Sequence, residues 1–177
     1  MENNMPLGIE TERRFLIERP DVVALKLLYG AEVRDITQTY LAAPSGYSSE
    51  RVRQSVDALG NALYTHTRKR RISRESAIEE EESLDRDAYL RLLDRADPER
   101  RPIKKRRVSF LWRGQSYEID LYPFFERIAV LETELETADK ELFFPPELVI
   151  LREITGVKAL SNHALARAVP SERSLLE

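Results

Sequence analysis

Charged side chains recur at every second position in several short segments of this chain. Glu10, Glu12 and Arg14 form one such row, and Arg51 and Arg53 a second. Lys105 and Arg107, Glu118 and Asp120, and Glu132 and Glu134 form three more. On a β-strand, residues i and i+2 share one side of the sheet, so each row is a line of charge on one face. The alternate positions are apolar around the acidic rows: Tyr117, Ile119 and Leu121 interleave with Glu118 and Asp120, and Leu131 and Leu135 flank Glu132 and Glu134. A solvated outer face accounts for any single row, because an antiparallel sheet commonly buries one face and wets the other. The separation of signs onto different strands is harder to place on an outer surface, where opposite charges side by side are favoured.

Two carboxylates on one face repel until a cation lies between them, and hard divalent cations such as Mg²⁺ take oxygen ligands while keeping water and phosphate. The Arg-x-Arg and Lys-x-Arg rows complement a multiply charged phosphate chain, Arg with a planar donor fork and Lys with a compact charge. One metal-bound polyanion satisfies both sets. If the sheet closes on itself, the rows line a polar interior and helices cover the apolar outside. The expected fold is therefore α+β, a predominantly antiparallel closed β-barrel with flanking helices. An ordinary β-sandwich is the competing arrangement, and it points the same carboxylates into bulk water.

The elements that must carry these rows can be read from alternation and punctuation. Strands are predicted at Ile9–Ile17, Asp35–Leu41, Glu50–Ser55, Ala62–Arg71, Ser76–Leu84, Ile103–Trp112, Gln115–Tyr122 and Ile128–Glu136. A short helix is predicted to open at Pro20-Asp21, run through Tyr29 and stop at Gly30. A second, at Arg86–Arg95, has Asp85 as N-cap and Tyr89, Leu92 and Leu93 as its apolar stripe, and a third is predicted at Ser161–Val169. Residues 58–61 and Arg113-Gly114 read as tight hairpin turns between antiparallel neighbours.

The 177 residues carry 28 Lys and Arg against 31 Asp and Glu, and 42% are hydrophobic. That balance fits one domain spanning residues 1–177, with 171–177 expected to fray. The absence of Cys excludes disulfides, thiolate zinc sites and cysteine nucleophiles. No apolar run approaches the roughly 20 residues of a membrane helix, and the N-terminal residues lack the pattern of a secretory signal, so no membrane partner and a cytoplasmic location are expected. A pI of about 5.6 argues against nucleic acid as a partner. There is no GxSxG elbow and no phosphate-binding GxxxxGK[ST] loop. His66 and His163 have no Cys or neighbouring His partner, so surface or helix-capping roles are expected.

The ordered series of motifs resembles the CYTH domain of the triphosphate tunnel metalloenzymes. ETERR at 10–14 is similar to the ExExK signature, with Arg14 in place of the usual Lys. The similarity continues through ITQTYL at 36–41, ERVRQ at 50–54, YTHTRK at 64–69, IKKRR at 103–107, YEIDLY at 117–122, VLETELE at 130–136 and REITG at 152–156. The resemblance implies Mg²⁺ or Mn²⁺ held by Glu10, Glu12, Glu132 and Glu134, with Asp120 completing the cluster and Glu118 beside it. It implies a triphosphate gripped by Arg51, Arg53, Lys69, Lys105 and Arg107, with Arg14 in the signature position. Arg68 competes with Lys69 for the inner face, since a one-residue slip reverses every side chain. Within the acidic run 79–82, Glu79 and Glu81 are favoured as interior acids over Glu80 and Glu82. An Arg at position 14 suits phosphate positioning and not proton transfer.

The expected reaction is divalent-metal-dependent hydrolysis of a triphosphate-containing small molecule. Inorganic triphosphate is preferred because no reader of a base or sugar is recognisable. Lys105, the titratable member of its row, is the expected proton donor to the leaving phosphate. Adenylate cyclase activity on ATP, thiamine triphosphate hydrolysis and a noncatalytic polyphosphate-binding module are the alternatives. A homodimer is one arrangement the family allows.

Overall fold

The computed structural model describes residues 11–42, 46–71, 77–135 and 140–177. Among the described residues nine strands make one sheet: β1 (Thr11–Glu18), β2 (Glu32–Tyr40), β3 (Ser49–Asp57), β4 (Ala62–Arg71), β5 (Ala77–Leu84), β6 (Ile103–Trp112), β7 (Gln115–Leu121), β8 (Ile128–Leu135) and β9 (Ile150–Glu153). Their order across the sheet is β5-β4-β3-β2-β6-β7-β8-β1-β9, and every pair is antiparallel. The architecture is α+β with few helices. Among the described residues no helix is long and apolar enough to cross a membrane.

Local chemistry fixes the elements. Helix α1 (Val22–Tyr29) starts where the Asp21 side chain accepts hydrogen bonds from the Val23 and Ala24 N–H groups, and it ends at Gly30, whose φ of 64° suits the left-handed cap. Helix α2 (Arg86–Leu93) is capped by Asp85, which accepts from the Ala88 N–H. Between β6 and β7 both central turn residues have positive φ, 49° at Arg113 and 76° at Gly114. These are the angles of a type I′ turn, whose twist matches that of a two-residue hairpin. The turn sets Trp112 opposite Gln115, and counting back along the ladder sets Arg107 opposite Asp120.

The outer face is the apolar one. Phe15, Ile17, Val108, Phe110, Tyr117, Ile119, Ala129 and Leu131 form its main core, covered by Leu25 of α1 and by Leu148. Each Val, Leu, Ile or Phe side chain among them, fully buried, contributes about 1.5–3 kcal/mol. Tyr89, Leu92 and Leu93 of α2 pack with Val52 and Tyr64 on the back of β3 and β4. At one end of the inner face Leu16, Tyr40, Ile103, Tyr122 and Val130 meet Ile154, Leu160, Leu165 and Leu175 from the C-terminal segment. That end of the sheet is filled with apolar side chains.

In its backbone elements the structure departs from the sequence reading in four places. The sheet is not closed by hydrogen bonds: β5 and β9 are its edges. β9 has only four residues and its pairing with β1 shifts between Leu16 and Ile17, so its ladder is too short to continue around. The sheet is nonetheless strongly curled, because Lys69 of β4 lies close enough to act on the Glu12 carboxyl of β1, six places along the strand order. β9 itself was not expected. The helix predicted at 161–169 is shorter, a 3-10 turn at Lys158–Leu160 followed by α3 (Asn162–Leu165). Residues 171–177, expected to fray, instead hold helix α4 (Glu172–Leu176). Its Leu175 is buried, and its Glu172 accepts from the Arg127 and Ile128 N–H groups.

Candidate functional site

The pairing register carries the charged rows onto one continuous face. Glu12 stands opposite Glu134 and Arg14 opposite Glu132, while Glu118 stands opposite Glu132 on the other side of β8. Arg107 of β6 faces Asp120. Across the sheet, Arg51 lies between Tyr40 and Thr67, and Arg53 between Gln38 and Thr65. Lys69 faces Glu79, and Thr67 faces Glu81. The strands β1, β7 and β8 thus supply an acidic wall, β3 and β4 a basic one, and β6 the cations between them. Glu10 lies outside the described residues.

Asp120 is the hinge of the ionic network. Its fully buried carboxylate accepts from Lys105, from Arg107 Nε at 2.7 Å and from Arg107 Nη2 at 2.8 Å. Burial alone would raise its pKa, but the Lys105 and Arg107 charges outweigh that and hold the carboxyl well below the usual range. Arg107 also pairs with Glu118 and donates to Glu132 Oε2 at 2.7 Å. Arg14 reaches Glu132 Oε1 at 3.0 Å and Glu12 Oε1 at 3.3 Å. Burial, with help from Arg107, pushes the Lys105 ammonium down from its ordinary value against the pull of Asp120.

On the basic wall Lys69 Nζ is 2.8 Å from Glu79 Oε1, and Arg51 is 3.9 Å from the other Glu79 oxygen. Thr67 Oγ1 donates to Glu81 at 2.8 Å. Arg53 has no carboxylate partner among the described residues, and its guanidinium is lowered by burial and then by Arg51 and Arg107. An unpaired cation held between two others is a site waiting for an anion. The face assignments also separate Lys69 from Arg68, whose guanidinium sits on the outer face near Glu80 and Glu82. Glu79 and Glu81 are correspondingly on the inner face.

A cavity of about 100 Å³ opens among Glu12, Ser116, Glu118, Glu132, Thr133 and Glu134. Among the described residues no three acids stand together as a formed metal site. The donor set nevertheless suits a hard divalent cation. Glu12 keeps 41% of its side chain in contact with water, yet the surrounding protein and then the Glu132 charge push its carboxyl up to about 7. Carboxylates crowded beyond what the local cations neutralise are what a bound divalent ion relieves.

The raised Glu12 value fixes a sign. A carboxyl whose folded value exceeds its unfolded value of 4.5 favours folding at low pH, and that contribution is lost as pH rises through about 7. Glu12→Gln is therefore expected to leave the melting temperature of metal-free protein unchanged near pH 4 and to raise it at pH 8, while weakening the response to added Mg²⁺ or Mn²⁺. Thermal melts at both pH values, with and without metal, check this.

Sequence reasoning missed four inner-face residues: Gln38, Tyr40, Thr65 and Thr67. Gln38 Nε2 donates to Tyr40 Oη at 2.7 Å, and burial raises the Tyr40 hydroxyl against the nearby Arg51 charge. Alternation in ITQTYL could have found the first two, but a search for charged rows passes over neutral ones. His66 corrects the expected surface or capping role. It is buried on the outer face, with Nε2 2.7 Å from Glu50 and Nδ1 2.8 Å from Glu82, and Glu50 in turn accepts from Arg95 at 2.8 Å.

No protein-family model and no curated protein matches the chain. Solved structures do. The inorganic triphosphatase NE1496 is 25% identical with a TM-score of 0.59, over 94% of this chain and 100% of that one. A second structure of NE1496 matches at 25% identity and a TM-score of 0.56, over 91% and 99% of the two chains. HpAC1 from Hippeastrum is 14% identical with a TM-score of 0.44, over 94% and 95%. The curled antiparallel sheet with segregated acids and bases on its inner face defines a protein with an ionic interior. The ordered motifs from ETERR to REITG resemble those of the triphosphate tunnel metalloenzymes, the CYTH family, and the likeness to NE1496 extends over nearly the whole length of the chain.

Proposed function

We propose that the chain hydrolyses inorganic triphosphate in a divalent-metal-dependent reaction, with the curled sheet enclosing the substrate as a tunnel. The observation that carries this reading is the interior itself: Arg53, unpaired between Arg51 and Arg107, faces a wall of carboxylates across the sheet. The likeness to a triphosphatase supports the substrate class. Glu12, Glu132 and Glu134, with Glu10 and with Asp120 at its edge, would hold Mg²⁺ or Mn²⁺, which when bound offsets phosphate charge and activates water.

The chain's own residues do the rest. Arg51, Arg53, Lys69 and Arg107 grip the phosphate oxygens, and Arg14 positions them from β1 while steadying Glu132. Fixed cations aimed at the chain offset charge on the leaving oxygen as the phosphoanhydride bond breaks and water adds to phosphorus. Lys105 donates the proton to that oxygen. It is the titratable cation at the centre of the network, whereas its neighbour Arg107 is permanently charged. Asp120 keeps both cations in place. Glu79 and Glu81 orient Lys69 and Thr67, and Glu118 holds Arg107 from the mouth.

The test is incubation with triphosphate, ATP and thiamine triphosphate, each with Mg²⁺, Mn²⁺ or EDTA, followed by product identification. The expected result is orthophosphate plus pyrophosphate from triphosphate in metal only, at a kcat/KM at least about tenfold above the other substrates. Cyclic AMP from ATP would instead make the chain a cyclase. Tight binding without turnover would make it a polyphosphate-binding module.

A further inference from the structure

Gln38, Arg53 and Thr65 stand opposite one another on β2, β3 and β4, in one row across the inner face. Gln38 is fully buried. Its Oε1, the Arg53 Nε and the Thr65 Oγ1 are each buried without a hydrogen-bond partner among the described residues. Folded proteins pair nearly all such atoms, because leaving one unmatched is costly. Three in adjacent register positions on one face are a prepared set of contacts for one ligand.

The chemistry of the row names that ligand. Arg53 brings a guanidinium that makes no ion pair among the described residues and feels Glu81 and Asp120 only at a distance, so an anion is the ligand that fits. Thr65 brings a hydroxyl donor. The Gln38 carboxamide now donates to Tyr40 Oη. Turned over, its Oε1 accepts from the Tyr40 hydroxyl and its NH₂ group stands beside Arg53, which leaves the NH₂, the Arg53 Nε–H and the Thr65 hydroxyl as donors in want of an acceptor. Three donors in a line suit a group with three free oxygens. The end of a phosphate chain has three, whereas an internal phosphoryl group has two. Gln38 also adjoins Tyr40 and Ile103, which belong to the apolar cluster filling one end of the inner face.

Resting on the proposed triphosphatase reading, we propose that Gln38 and Thr65 are substrate-binding residues that flank Arg53 and hold the terminal phosphoryl group of the chain, inserted first. The row then recognises a free phosphate end.

The test uses Gln38→Met, Gln38→Glu and Thr65→Val in the full chain. It measures calorimetric binding of inorganic triphosphate in EDTA and steady-state kinetics in Mg²⁺. Gln38→Met and Thr65→Val are each expected to raise Kd and KM by about tenfold, the scale of a hydrogen bond to a charged group, with kcat changed less. Gln38→Glu, placing a carboxylate against the phosphoryl group, is expected to cost at least about another tenfold. The unliganded melting temperature of Gln38→Met should change little, since losing the Nε2 bond to Tyr40 is set against deleting the unmatched Oε1. Wild-type binding with unaltered Kd in Gln38→Met and Thr65→Val would overturn this inference and leave the triphosphatase reading standing. Equal effects of Gln38→Met and Gln38→Glu would reduce Gln38 to a packing role. A wild-type chain that neither binds nor cleaves triphosphate would remove both readings. Should Gln38→Met fail to fold, Thr65→Val decides alone.

Discussion

Asp120→Ala is expected to lower the melting temperature by about 10 °C, the largest stability effect of any single change in the interior. The reason is asymmetry. Removing this carboxylate leaves Lys105 buried without its partner and strips Arg107 of two of its hydrogen bonds. Breaking a buried ion pair from one side costs about 3–5 kcal/mol, even where the intact pair contributes little net stability. Inorganic triphosphate should recover part of the loss in the variant, because an anion entering the interior replaces the missing charge. Thermal melts with and without triphosphate decide the matter, and an unchanged melting temperature would mean that Lys105 and Arg107 do not depend on Asp120. The pH dependence has a definite sign. A depressed carboxyl contributes stability that is present above its unfolded value of 3.8 and lost as pH falls through the lower folded value. The wild type should therefore lose stability in acid more steeply than Asp120→Ala does.

Lys105→Met should reduce kcat for triphosphate by about 10²–10⁴-fold, the usual contribution of a positioned general acid. The methionine keeps the length and buried packing of the side chain while removing both the charge and the proton. Lys105→Arg restores the charge alone, so it should leave most of the defect in place if the proton is what matters. The metal concentration giving half-maximal rate should move little in either variant. Full activity in Lys105→Arg would show that position 105 supplies only charge, and the proton donor would have to be sought elsewhere.

Much of this interior was legible because a period of two is a strong signal. The rows at 105–107, 118–120 and 132–134 needed only alternation to be assigned to one face each, and the Arg113-Gly114 turn fixed how two of them meet. Arg68 and Lys69 could not be separated that way. Both faces of β4 carry cations, and only the register to β5 shows which acid each one meets. Gln38 and Thr65 were passed over because neutral polar residues in a strand look like ordinary surface positions until burial is known. His66 was misjudged for the same reason: its partners Glu50 and Glu82 come from the two neighbouring strands, sixteen residues away in each direction. β9 escaped notice because its four residues follow 140–149, which hold neither strand nor helix, and gain strand geometry only by pairing with β1. The C-terminal helices are held by contacts with the apolar end of the sheet, which their own short sequences do not announce.

The wedge of Leu160, Leu165 and Leu175 against Leu16, Tyr40 and Tyr122 stops one end of the inner face with apolar side chains. Under the proposed reaction, the fragment nearer the open end is expected to leave before the one lodged against that wedge, so the order of product release would follow position and not relative affinity.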